Sequence, residues 1–128
     1  MLNIKGIYKS FLGKREPILN DINFELKEGE FCILLGNAAS GKSSLIKTIS
    51  GEYNSDKGEI YLDNKSLTNL AIYERANLIS RAGPDISDDI IPEMSLLENL
   101  VISYLRGKIP DFSLCNNYSE QMRGIVAD

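Results

Sequence analysis

The run Gly36-Asn37-Ala38-Ala39-Ser40-Gly41-Lys42-Ser43 fits GxxxxGK[ST], a set of residue types and spacings suited to holding a phosphate chain. Gly36 and Gly41 permit backbone conformations and a close approach that side chains would block, so main-chain N–H groups can converge on an anion. Lys42 supplies a positive charge for the β- and γ-phosphates, and the Ser43 hydroxyl is placed to ligate Mg²⁺. Ser44 follows within reach of the α-phosphate. A strand-to-helix turn that is merely rich in small residues would match by chance in roughly one such chain in a few hundred. The phosphate-site reading is therefore preferred.

Such a loop works only between a strand and a helix, and both are expected here. Phe31 to Leu35, FCILL, is a continuous apolar run, as for a strand covered on both faces in a parallel sheet. After Gly41, Leu45, Ile46 and Ile49 recur at helical spacing, and Gly51 falls where a helix C-terminal cap would lie. Upstream, Leu2 to Phe11 reads as a strand and Gly13 to Pro17 as a polar loop. Ile18 to Leu26 alternates like a half-buried antiparallel strand. Downstream, KGEIYLD from Lys57 to Asp63 reads as a short strand, with Asp63 and Asn64 offering turn chemistry. Tyr73 to Ser80 starts helical and turns apolar at Leu78 and Ile79, as if entering another strand. Gly83 to Pro92 reads as a loop. Ser95, with Glu98 three residues on, forms a capping box for a helix over Leu96 to Leu105. Gly107 to Asp111 breaks that helix, and Tyr118 to Ala127 is the candidate for another.

Composition narrows the partners. A chain of 128 residues suits one domain, and 43% hydrophobic with 25% charged residues suits a packed one. The net charge of -4, without a basic stripe, argues against nucleic acid. No apolar stretch is long enough to cross a bilayer and MLNIKG lacks a secretory core, so a cytoplasmic location is expected. Of the two cysteines, Cys32 lies inside FCILL as a small hydrophobe, and with Cys115 it makes no disulfide framework. Histidine is absent, which removes the commonest general base and the usual zinc ligand.

The stretch ILNDINFELKEGEFCILLGNAASGKSSLIKTISGEYNSDKGEIYLDNKSL, with SLLENL later, resembles the N-terminal half of the ATP-binding subunit of ATP-binding-cassette (ABC) transporters, from about Leu2 to Leu100. The resemblance implies an α/β fold of P-loop NTPase type. An antiparallel β subdomain and a strand-helix unit around the Walker A loop would be followed by the start of a helical subdomain. It implies a single domain truncated within that helical subdomain, with about residues 1–93 sheet-containing and nucleotide-binding and about 94–128 beginning the helices. ATP and Mg²⁺ are the implied cofactors. Transmembrane transporter subunits are the implied partners, with a second copy of the chain across the nucleotide site, at the cytoplasmic face of the membrane. The implied site adds Phe11, stacked on adenine, to residues 36–44; Tyr8 is the alternative aromatic.

The sequence also departs from that pattern. The family's metal-sensing glutamine is replaced by Pro84, or by Ala82 in a shifted alignment, and neither can coordinate; Asp85 is adjacent. No LSGGQ signature is recognisable, since Tyr118-Ser119-Glu120-Gln121 lacks both glycines. GIVAD ends at Asp128 without the following glutamate, and no histidine exists to act as the switch. No catalytic residue is assigned, and ATP binding without turnover by this chain alone is expected. The alternatives are a non-catalytic nucleotide-binding module that could dock through 83–92 and a poorly stable gene fragment; a small P-loop kinase or GTPase ranks last. Arg75, Arg81 and Arg123 are read as solvated, as is the pair Asp88 and Asp89.

Overall fold

The structure is a computed structural model that describes residues 1–13, 15–83 and 89–105. Contacts divide the chain into two units, Met1–Ile79 and Ser80–Asp128. In the first, β1 (Leu2–Lys9), β2 (Leu19–Leu26), β3 (Lys57–Leu62) and β4 (Lys65–Ser66) form an antiparallel sheet in the order β2-β1-β3-β4. Two helices belong to this unit, α1 (Lys42–Ser50) and α2 (Ile72–Arg75).

The core explains where α1 sits. Ile4, Ile7, Leu19 and Ile60 from the strands, Leu67 after β4 and Leu45 from α1 form one buried cluster. Each such side chain contributes roughly 1.5–3 kcal/mol by leaving water. Ile4 and Ile7 are three residues apart, a spacing that strict alternation would send to opposite faces. A bulge between them returns Ile7 to the core: the β1–β2 register shifts there, Gly6 has φ 58°, and its N–H is taken by Asn23 Oδ1 at 2.7 Å. At the β3–β4 hairpin, Asp63 and Asn64 have φ of 47° and 66°, the left-handed pair that a two-residue turn requires.

Three expectations are corrected. Phe31 to Leu35 is not a strand, and Phe31 and Leu35 are 87% and 88% exposed. A strand needs a ladder partner, and the strands among the described residues all pair within the antiparallel sheet, where β1 has neighbours on both sides. Cys32 is accordingly exposed. The helix expected after Gly41 is present as α1 and ends at Gly51, with Leu45 and Thr48 buried and Ile46 facing solvent. Finally, Leu78 and Ile79 enter no strand: their N–H groups both bond back to the Arg75 carbonyl at 2.8 Å, closing the turn after α2.

The second unit contains α3 (Leu96–Leu105). Its expected capping box is present, with Ser95 N–H donating to Glu98 Oε2 at 2.8 Å and Glu98 N–H donating to Ser95 Oγ at 3.3 Å. The Ser95 hydroxyl and N–H both hold the Glu98 carboxyl below its ordinary value. Asp89 Oδ2 accepts the Gly83 N–H at 2.6 Å. The expectations at Pro84, Asp85, Asp88, Gly107 to Asp111, Cys115, Tyr118 to Ala127, Arg123 and Asp128 lie outside the described residues. Among the described residues, no helix is long and apolar enough to cross a membrane.

Candidate functional site: a phosphate loop at the start of α1

The loop reaches α1 through a tight turn. Ser40 N–H donates to the Asn37 carbonyl at 3.3 Å, and the chain then passes through Ala39 at φ 62° and Gly41 at φ 92°. Gly41 is the N-cap of α1, and a Cβ there would meet the Ile18 carbonyl at 2.7 Å. Both the backbone conformation and the space exclude other residues. A Cβ on Gly36 would likewise stand 2.7 Å from Ser40 Oγ.

Because Gly41 has no capping side chain and the first turn carries no acid, the N-terminal N–H groups of α1 face the loop with the positive end of the helix dipole. That arrangement attracts anions. Lys42 adds a full charge: its Nζ donates to the carbonyls of Gly36 and Asn37 at 2.7 Å each and to Ser40 Oγ at 3.2 Å, which holds the ammonium inside the curve of the loop. Ser43 is exposed, whereas Ser44 is half-buried and its carbonyl accepts the Thr48 hydroxyl at 2.7 Å.

An open pocket of about 190 Å³ lies between Phe11 and Ile18 on one side and residues 39–44 on the other. Phe11 is braced. Its ring centre lies 5.2 Å from that of Tyr53 at 76°, and Lys9 Nζ is 5.7 Å from it. Lys9 in turn bonds Asp56 at 2.9 Å, and that bond, with the Ser10 N–H, lowers the Asp56 pKa. Tyr8 pairs with Lys57 at 5.8 Å and does not line the pocket. Ala82 is exposed in the second unit.

Sequence reasoning missed Arg75. It is 1% exposed, not solvated, and its guanidinium donates to four carbonyls: Thr48 at 2.8 Å, Ile49 at 3.2 Å, Thr68 at 3.0 Å and Leu70 at 3.2 Å. Burial lowers its pKa, yet arginine stays protonated, and the charge sits where the α1 dipole is negative. Nothing around position 75 sets it apart from a surface arginine in the sequence, because its partners are backbone atoms. Tyr53 was missed for a similar reason, as its contact is with Phe11, far earlier in the chain, with β2 and α1 between them.

A family model described as ABC transporter matches residues 19–127. The chain belongs to that family. It is 35% identical over 136 residues to the tyrosine transport ATP-binding protein of Clostridioides difficile (strain R20291), taking in 100% of this chain and 54% of the relative. It is 30% identical over 111 residues to the spermidine/putrescine import ATP-binding protein PotA of Vibrio vulnificus (strain YJ016), covering 86% of this chain and 28% of that one. A nucleotide-free ATP-binding cassette from an ABC transporter superposes with a TM-score of 0.76 at 28% identity, over 99% of this chain and 51% of the other. A dimeric bacterial ABC transporter cassette shares the fold, with a TM-score of 0.73 at 23% identity over 99% and 55%. This chain thus spans about half the length, or less, of these relatives. Its fold is that of the N-terminal portion of an ABC cassette, an antiparallel sheet beside the phosphate-loop helix.

Proposed function

We propose that this chain is an ATP-binding component of an ABC transporter and holds MgATP through residues 36–44. The observation that carries the reading is the start of α1. A glycine N-cap without room for a side chain, unpaired helix N–H groups and the Lys42 ammonium converge on one loop. Within it, Gly36, Asn37, Ala38, Ala39, Ser40 and Gly41 wrap the phosphates with main-chain groups. Lys42 neutralises the β- and γ-phosphates, and Ser44 serves the α-phosphate. Ser43 is the residue that would ligate Mg²⁺, whose charge offsets that of the phosphates. Phe11 stacks on adenine, at the other side of the same pocket.

The proposed partners are transmembrane transporter subunits and a second copy of the chain, at the cytoplasmic face of the membrane; the dimeric cassette supports the pairing. Residues from about 94 begin the helical subdomain. Phosphoryl transfer to water needs a group that orients the water, and neither a histidine nor an LSGGQ signature is in the sequence. The role proposed for these residues is therefore nucleotide binding, and none of them is assigned to hydrolysis.

The test is fluorescent MgATP binding by the chain and by Lys42→Ala, with phosphate release measured on both. Binding weakened roughly 10- to 100-fold by the substitution, without phosphate release, is expected. Equal binding by both proteins would overturn the reading, and Lys42-dependent phosphate release would overturn its non-hydrolytic part. The exposed apolar run 31–35 favours a second reading, in which the isolated chain is poorly stable and self-associates. Size-exclusion chromatography of the same preparation distinguishes it.

A further inference from the structure

We infer that Tyr53 is a positioning residue for the base end of the nucleotide site: it fixes the ring of Phe11, and through that ring it sets the affinity for the nucleobase but not for the phosphates. The inference rests on the reading of Phe11 and the loop given above. A stacking platform is effective when its plane is fixed before the base arrives, because ordering a mobile ring on binding costs affinity. Phe11 lies past the end of β1, in the turn that leads to residue 13, so no strand ladder holds it. Its ring neighbours must do so.

Two are present. Tyr53 meets Phe11 edge-to-face, with ring centres 5.2 Å apart and planes at 76°. Lys9 approaches the same ring at 5.7 Å and is itself tethered to Asp56. Tyr53 is anchored to the far end of α1: its N–H donates to the Lys47 carbonyl at 3.0 Å, and the Lys47 ammonium lies 5.4 Å from its ring centre. The helix that carries the phosphate loop at its N-terminus thus carries the brace of the aromatic platform at its C-terminus. One rigid element sets the distance between the two ends of the site. Tyr53 acts through Phe11, since it does not line the pocket itself. Both contacts use its ring, so the hydroxyl is dispensable.

The test compares MgATP with inorganic tripolyphosphate, which lacks the base, as competitors of a fluorescent nucleotide on the full chain. Tyr53→Leu is expected to weaken MgATP roughly two- to tenfold, to leave tripolyphosphate unchanged, and to be rescued by Tyr53→Phe. Unchanged tripolyphosphate binding also shows that the variant is folded. If Tyr53→Leu leaves MgATP unaffected, or weakens both ligands alike, the positioning role is overturned; the second result would make Tyr53 a prop of α1. Tripolyphosphate binding that ignores Lys42→Ala would instead overturn the phosphate-loop reading, and this inference with it.

Discussion

A Cβ on Gly51 would stand 2.8 Å from Cδ of Arg75, so the helix bearing the phosphate loop ends where a buried guanidinium begins. The two residues complete one another. Gly51 turns the chain at φ 91°, out of the helical path, and leaves the carbonyls of the last turn of α1 without helical partners. Arg75 donates to two of them, Thr48 and Ile49, and to Thr68 and Leu70 from the segment that precedes α2. Both ends of α1 are thereby set, one by Gly41 and one by Arg75.

Arg75→Met should cost roughly 3 kcal/mol or more in urea unfolding. It strips donors from carbonyls in a place only 1% exposed, and each buried polar group left without a partner costs about 1–3 kcal/mol. Arg75→Lys should recover little, because a single ammonium cannot span four acceptors spread over two segments. An unchanged urea midpoint would mean that water replaces the guanidinium, contrary to this account.

Gly51→Ala should cost about 1–2 kcal/mol through the left-handed backbone alone, with more from the collision with Arg75. Asparagine separates the two causes. It tolerates the left-handed region at helix ends but has the same Cβ, so Gly51→Asn should recover the backbone part of the loss and keep the part that comes from the collision. Thermal melts in which asparagine restored all of the loss would show that strain matters and the contact does not.

The Asp56 prediction concerns pH. The Lys9 ammonium, followed by the Ser10 N–H, holds this carboxyl below its ordinary 3.8, so the folded state binds its proton more weakly than the unfolded chain. The contribution to stability is therefore complete above that ordinary value and is lost as pH falls through the lower folded value. Asp56→Asn should flatten the acid limb of the stability curve, which urea titrations from neutral pH to below pH 3.8 would show. It should also free Lys9 beside Phe11. An acid limb identical to that of the parent chain would remove Asp56 from the account.

These residues also show which parts of the fold were legible beforehand. The phosphate loop, the cap at Gly51, the hairpin at Asp63 and Asn64, and the Ser95–Glu98 box each depend on residues close in sequence, where spacing carries the physics. Arg75, Tyr53 and the bulge at Gly6 depend on partners brought together by the sheet and by α1, and their own neighbours in sequence say little. The run FCILL misled for a related reason. Its composition states what it would accept on both faces, whereas strand formation needs a partner, and the strands of the described residues are paired elsewhere.

That distinction yields a final test. Phe31 and Leu35 are both apolar and next to the phosphate loop, yet each is almost fully exposed, at 87% and 88%. Phe31→Ser and Leu35→Ser should each change stability by no more than about 0.5 kcal/mol, as for surface positions. Leu45 is similar in composition and is 7% exposed in the core cluster; Leu45→Ala should cost roughly 2–5 kcal/mol. Because contiguous exposed apolar residues drive association, the two serine variants should also shift the chain towards monomer in size-exclusion chromatography. Losses at 31 or 35 as large as that at 45 would show that the run is covered in solution, and the strand reading of FCILL would then be the better one.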